Sequence, residues 1–303
     1  MNTVDLVAEI LKREGVEYLS CFPTTPVIES AAAAGIRPII CRQERVGVGI
    51  ADGYSRVNNG SKVGVFAMQS GPGAENAYAG VATAYSDSTP ILLLPTGHPR
   101  ERQGILPHFN SVTNFAGVTK YVEQINIPGR TTDVMRRAFA GIYQGRPGPV
   151  MVEIPSDIAL EEVPDATIQW GKSFPNLSSS GNPKDVDAAA HALITARYPV
   201  IHAGQGVLYA DATDELIELA ELLSIPVMTT LLGKSAFPET HSLALGSGSG
   251  VMSGTLHHFM QRADIVFGIG CSFTKHGMSM NIPEGKTMIH SSNDDRDINK
   301  DYN

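Results

Sequence analysis

The sequence predicts an α/β protein built from two doubly wound parallel-sheet domains. Apolar runs of strand length alternate with stretches of helical period along most of the chain. The strand runs are too uniformly apolar to keep one face in water, which argues for parallel sheets covered by helices on both sides. The 303 residues, 42% hydrophobic and 18% charged, suffice for two cores at about 150 residues per domain.

The first helix is expected over residues 4–13, with Val4, Val7, Ile10 and Leu11 on one face and Thr3 as its cap. Acids at Asp5 and Glu9 mark this segment as a helix and not a signal peptide. Strands are expected at 18–22, 38–41, 63–68, 91–95 and 150–154, with helices at 26–34, 44–58, 74–86 and 132–144. The turn-forming stretch Arg146-Pro147-Gly148-Pro149 introduces the last of these strands. From about Pro164 to Pro183 the pattern lapses, and residues 177–183 read as an exposed linker. The domains are therefore set at 1–165 and 184–303, joined by a linker over 166–183. In the second domain helices are expected at 185–197, 213–223 and 255–262, and strands at 200–203, 226–229, 265–269 and 288–290. The segment 291–303, with four acids in eight positions, reads as solvated. A chain that stops just after a strand also reads as truncated within its second domain.

Composition excludes several functions. Lys and Arg number 23 against 31 Asp and Glu, a net charge of −8 with no dense basic run, which argues against nucleic acid or an anionic membrane as partner. Cys21, Cys41 and Cys271 are far apart, odd in number and never in a CxxC, so neither a disulfide framework nor a zinc ribbon is expected. No charge-free apolar stretch reaches the ~18 residues of a membrane helix. A soluble, cytoplasmic protein is the expectation. Gly233-Lys234-Ser235 is no phosphate loop, because Met228 stands where the pattern needs glycine, and Gly171-Lys172-Ser173 fails likewise at Ala166. Gly268 and Gly270 supply only two of the three glycines of a dinucleotide fingerprint. His257 and His258 point about 100° apart on a helix and cannot readily share a metal.

Two stretches carry chemistry. Arg42-Gln43-Glu44 ends a strand and opens a helix rich in small residues, which sets the Glu44 carboxyl at a helix N-terminus, where the dipole favours its anion. An ordinary first-turn glutamate reads the same way. Met68-Gln69-Ser70-Gly71-Pro72-Gly73-Ala74-Glu75-Asn76 again runs strand, tight loop, helix. In parallel sheets such loops at the carboxyl ends of strands build the ligand crevice.

Together with the helix end Ala84-Tyr85-Ser86-Asp87-Ser88-Thr89-Pro90 and the run from Arg146 to Pro155, these motifs resemble thiamine diphosphate enzymes of the acetolactate synthase and pyruvate oxidase-like group. The segments 201–206, 226–234 and 263–270 resemble the Rossmann-like central domain of that group, so the resemblance spans nearly the whole chain. It implies a catalytic Glu44 that hydrogen-bonds a pyrimidine nitrogen of the cofactor and promotes its imino tautomer. The imino group deprotonates the thiazolium carbon, which then attacks a 2-oxo acid. It implies Gln69, Ser70, Gly71, Pro72, Gly73 and Asn76 as cofactor contacts, the glycines letting backbone approach the ring. Pro23, Thr24, Thr25, Gln69 and Phe109 would lie near the substrate. Here Pro23-Thr24-Thr25-Pro26 departs from the group's Pro-Gly-Gly, and Pro107-His108-Phe109-Asn110 from its Ala-Phe-Gln-Glu. For His108 and Phe109, plain surface and packing roles stay equally open.

Some members of the group bind FAD or a nucleotide centrally. Gly204, Gly206, Leu232, Gly254 and Thr255 sit where such contacts could form, although Thr274-Lys275-His276 replaces the Asp-Asp-Arg of FAD-binding synthases. The group holds Mg²⁺ and the diphosphate through a Gly-Asp-Gly segment and an asparagine of a third domain. No Gly-Asp-Gly occurs here, so no metal ligand is assigned. The chain is expected to be the N-terminal and central part of a longer enzyme, inactive by itself. The resemblance implies decarboxylation of a 2-oxo acid with transfer of the acyl carbanion to an acceptor. A simple decarboxylase or acyl-transferring lyase stays open; so does a non-catalytic nucleotide-binding regulatory module, against which Glu44 and the Gly-Pro-Gly loop speak. A homodimer or dimer of dimers is also implied, meeting near the 44–56 helix and the small-residue face of Ala74, Ala77, Val81 and Ala84. Such a stripe can equally pack on its own sheet.

Overall fold

In the computed structural model, which describes residues 1–169 and 179–302, α1 (Thr3–Arg13) starts on a different cap from the expected one. Asn2 has extended backbone and accepts from the Asp5 N–H at 2.9 Å, while Thr3 is the first helical residue and is buried. The amide oxygen satisfies an otherwise unpaired helix donor as a hydroxyl would.

The chain divides into two compact units, residues 1–177 and 178–303. Part of the expected linker, with Gly171-Lys172-Ser173, lies outside the described residues. The first unit continues through β1 (Tyr18–Cys21), α2 (Val27–Ala33), β2 (Arg37–Ile40), α3 (Glu44–Val57), β3 (Gly64–Met68), α4 (Pro72–Ser86) and β4 (Ile91–Gly97). It closes with α5 (Ser111–Phe115), β5 (Tyr121–Gln124), α6 (Thr131–Tyr143) and β6 (Val150–Pro155). All six strands are parallel, in the order β2-β1-β3-β4-β6-β5. β3 and β6 are buried along their whole length, as continuous apolar runs require. β5 is an addition to the expected set. Its sequence Tyr-Val-Glu-Gln is half-buried at every position, as suits an edge strand, and shows no apolar run.

Helices cover both faces of this sheet. Leu6, Leu11, Val134 and Phe139 of α1 and α6 pack with Leu19 and Val152 in one core, and Val48, Ala77 and Val81 of α3 and α4 pack with Phe66 and Leu93 in the other. Ala74, Ala77, Val81 and Ala84 are therefore fully buried in their own unit, which corrects the expectation that this face meets a second subunit. Gly80 lets the two helices close up, since a Cβ there would lie 2.9 Å from Val48 Cγ1.

The second unit runs α7 (Pro183–Thr195), β7 (Pro199–Ala203), α8 (Gln205–Tyr209), α9 (Thr213–Leu223), β8 (Val227–Thr229), β9 (Ala244–Ser247), α10 (Gly254–Arg262), β10 (Ile265–Ile269) and β11 (Thr287–Ser291). Its sheet is also all-parallel, in the order β11-β10-β7-β8-β9. β9 is a further addition: four residues with Gly246 at φ +85° pair irregularly with β8 and leave too short a pattern to read. The acidic last segment is not simply solvated. Asp294 and Asp297 are buried and accept from Arg296 and Lys300 respectively. No helix among the described residues is long and apolar enough to cross a membrane.

Candidate active site

Glu44 is the first residue of α3 and is 6% exposed. Its helix is drawn tightly onto the sheet by small residues. Gly47 faces the Phe66 ring, where a Cβ would lie 2.1 Å away, and Ser55 donates to the Pro90 carbonyl while accepting from the Gly64 N–H. Ser20 on β1 donates to the Gly47 carbonyl. These contacts fix the start of α3 beyond the carboxyl end of β2, with Gln43 as an extended N-cap lacking a side-chain cap bond.

The loop after β3 meets Glu44 there. Gly71 adopts φ +60° and ψ −117°, a conformation closed to residues with a Cβ, and Pro72 and Gly73 then begin α4. One turn on, Asn76 Nδ2 donates to Glu44 Oε2 at 2.7 Å. Glu44 Oε1 turns toward Gly73, where a Cβ would lie 3.1 Å from it and 2.5 Å from Gln69 Cγ. Thus Glu44, Gln69, Gly73 and Asn76 converge, one carboxylate oxygen held by an amide and the other beside a residue without a side chain. Gln69 and Ser70 are half-buried, Gly71 is buried and Pro72 is exposed.

The other sequence-derived residues are placed differently. Pro23 and Thr24 lie exposed in the turn after β1, while Thr25 points inward against Val4, Leu94 and Ile154, its hydroxyl without a partner. Phe109 packs edge-on against Phe115, ring centroids 6.4 Å apart. In the second unit Gly204 and Gly206 are consumed by loop packing, since Cβ atoms there would lie 2.2 and 2.7 Å from Gly270 backbone atoms. Gly254 faces open space at the start of α10, and Leu232 and Thr255 are exposed. Among the described residues no group of three or more His, Cys, Asp or Glu is placed to hold a metal ion.

A second polar cluster lies toward the carboxyl ends of β4, β6 and β5 in the first sheet. Glu153, 7% exposed in β6, accepts from Gln124 Nε2 of β5 and bonds the Ser111 hydroxyl; burial pushes its carboxyl up. The imidazoles of His98 and His108 stack with centroids 4.3 Å apart. The readable signal for this cluster is a glutamate inside the otherwise apolar run from Val150 to Ile154.

Sequence comparison matches two models of one family: "Thiamine pyrophosphate enzyme, N-terminal TPP binding domain" over residues 1–125 and "Thiamine pyrophosphate enzyme, central domain" over 186–303. The chain belongs to the thiamine pyrophosphate enzymes. A probable acetolactate synthase large subunit of Methanococcus aeolicus is 33% identical over 100% of this chain and 52% of its own length. The acetolactate synthase isozyme 3 large subunit of Escherichia coli K12 is 31% identical over 99% of this chain and 54% of its own. A glyoxylate carboligase of Escherichia coli O157:H7 is 31% identical over 96% and 50%. The chain thus spans about half the length of the curated relatives it matches. For a thiamine pyrophosphate enzyme the Glu44 site is chemically apt: a buried carboxyl with one oxygen fixed by Asn76 and the other facing Gly73, which has no side chain, suits a pyrimidine edge.

Proposed function

We propose that this chain forms the pyrimidine-binding and central part of an enzyme that decarboxylates a 2-oxo acid and transfers the resulting acyl carbanion to an acceptor. The observation that carries the reading is the Glu44–Asn76 pair beside the side-chain-free Gly73. Thiamine pyrophosphate, when bound, supplies a nucleophilic carbon and an electron sink for loss of the carboxylate. Glu44 holds and returns a proton at Oε1, Asn76 orients its carboxyl through Oε2, and the turn from Gln69 to Gly73 brings backbone to the ring. The likeness to acetolactate synthases and a glyoxylate carboligase favours carboligation over simple decarboxylation.

The test is deuterium exchange at the reactive carbon of thiamine pyrophosphate in the assembled enzyme with Mg²⁺. Glu44→Ala should slow it by about 10²–10⁴-fold while far-ultraviolet circular dichroism stays native. Exchange at the wild-type rate overturns the assignment.

The reading gives Mg²⁺ and the pyrophosphate to a Gly-Asp-Gly segment that this sequence does not contain, hence to another part of the enzyme. For FAD the candidate contacts stay Gly204, Gly206, Leu232, Gly254 and Thr255, of which Leu232, Gly254 and Thr255 are exposed. The substrate is a small 2-oxo acid and the setting the cytoplasm. We further propose a homodimer, or dimer of dimers, through the outward faces of α3 and α4. Val46, Ile50 and Val57 form an exposed stripe on one helix, with Tyr78 and Tyr85 exposed on the other.

A further inference from the structure

We propose that Arg197, Arg262 and the Tyr198 hydroxyl form a binding site for a phosphate group at the amino ends of β7, β10 and β11. Strand register puts the first residues of these strands side by side, with Ile265 between Pro199 and Thr287. The residues just before them therefore gather at one place, although they are distant in sequence. Asp264 fixes the backbone there, accepting from the Arg197 and Tyr198 N–H groups at 2.7 and 2.9 Å. Its own N–H donates to the Tyr198 carbonyl at 3.2 Å. On this base the guanidinium carbons of Arg197 and Arg262 lie 5.3 and 5.0 Å from the centre of the Tyr198 ring. Arg262 Nη2 donates to the phenol oxygen at 3.3 Å. Gly204 and Gly206, the flavin candidates, follow the opposite end of β7.

Cations at helix ends need no ligand when they only offset the helix dipole, and α7 and α10 both end beside this cluster. Lys286 does that work, its ammonium donating to the Gln261 and Ala263 carbonyls at 3.3 and 2.8 Å. Arg197 and Arg262 do not. They lie against Tyr198, and among the described residues neither is paired with a carboxylate. One guanidinium gains by resting on a tyrosine, but a second is repelled by the first. Three cations face one carboxylate and two helix ends worth about half a charge each. About one positive charge is left uncompensated, in a chain whose net charge is −8. The phenol reports that excess: the Arg262 hydrogen bond, then the charges of both arginines, hold it below its ordinary value, with no carboxylate opposing them. Because Tyr198 Oη accepts from a guanidinium, its own proton is left to be donated outward. The three side chains are exposed, so a solute reaches them. A phosphate group offers acceptors alone, carries the charge the cluster lacks, and matches the fork of a guanidinium.

The experiment follows the arginine Nε–H resonances of the full chain by NMR during titration with inorganic phosphate. Sodium chloride at matched ionic strength is the control. Arg197 and Arg262 should shift saturably in roughly the millimolar range with phosphate and not with chloride. Arg56 and Arg137, tied to carboxylates, should stay unmoved. A second titration with adenosine monophosphate separates the sources of the group. Equal or lower affinity assigns the free ion; affinity at least about tenfold higher assigns a nucleotide. Arg197→Gln combined with Arg262→Gln should weaken phosphate binding at least about tenfold while circular dichroism stays native. Tyr198→Phe, which keeps the ring for the guanidiniums and removes the hydroxyl, should weaken it about tenfold. Unmoved arginine resonances, equal shifts with chloride, or undiminished binding in the double variant overturns the site. Undiminished binding in Tyr198→Phe removes the hydroxyl from it. Either result leaves the Glu44 reading untouched, because Glu44 belongs to the other unit.

Discussion

At Glu44 the role proposed here, in place of that of an ordinary first-turn glutamate, rests on two neighbours, Asn76 and Gly73. The sequence marks Glu44 and the glycine-proline-glycine turn because their constraints are local: a helix start and a conformation that only glycine adopts. It cannot mark their meeting. Two glycine substitutions separate site from scaffold. Gly73→Ala should leave the thermal midpoint nearly unchanged, because the first obstacle is the movable Gln69 side chain, yet displace Glu44 and weaken thiamine pyrophosphate binding about tenfold or more. Gly47→Ala meets the Phe66 ring at 2.1 Å inside the core and should cost about 1–3 kcal/mol of stability. Calorimetric titration and thermal denaturation of both variants decide the matter. A Gly73→Ala protein with wild-type affinity would count against this geometry.

Among the elements, the row formed by β7, β10 and β11 shows what strand pairing adds. Register sets His202, Gly268 and His290 side by side, and the missing side chain at Gly268 admits the Phe273 ring between the two imidazoles, at centroid distances of 5.4 and 4.8 Å. Phe273 holds φ +48° to reach that place, and His290 is tied to the Cys271 carbonyl at 2.8 Å. Burial, reinforced by His290, lowers His202 from 6.5 to about 4. The unfolded chain therefore takes up this proton first as pH falls. The stabilisation is complete above 6.5 and is lost between 6.5 and 4, in total about 3 kcal/mol. Urea denaturation at pH 7.5 and pH 4.5 should show that loss in the wild type and a much smaller one in His202→Gln. Equal losses in both proteins would remove His202 as the cause. None of this is visible in the separate segments. The same holds for β5 and β9, which are strands because a neighbouring strand pairs with them and not because their residues alternate or cluster.

For the whole molecule, the proposed assembly has a direct test. Ala77→Glu would bury a charge in the chain's own core and unfold it, so it cannot report on a dimer. Val46→Glu combined with Ile50→Glu alters exposed positions instead. The double variant should keep native circular dichroism and sediment as a monomer where the wild type is a dimer. An undiminished dimer places the interface elsewhere.

The sequence by itself determined the fold class, the order of nearly all elements and the two motifs that bracket Glu44. Each is a property of a short segment: apolar period, strand length, or the sterics of glycine and proline. Tertiary structure alone decided which segments are neighbours. The order β2-β1-β3-β4-β6-β5 does not follow the chain, so the Asn76 bond to Glu44, the enclosure of the alanine stripe and the Ser111 bond to Glu153 arise only when distant segments are packed side by side. Periodicity within a segment states which face is buried. It carries no information on what that face meets.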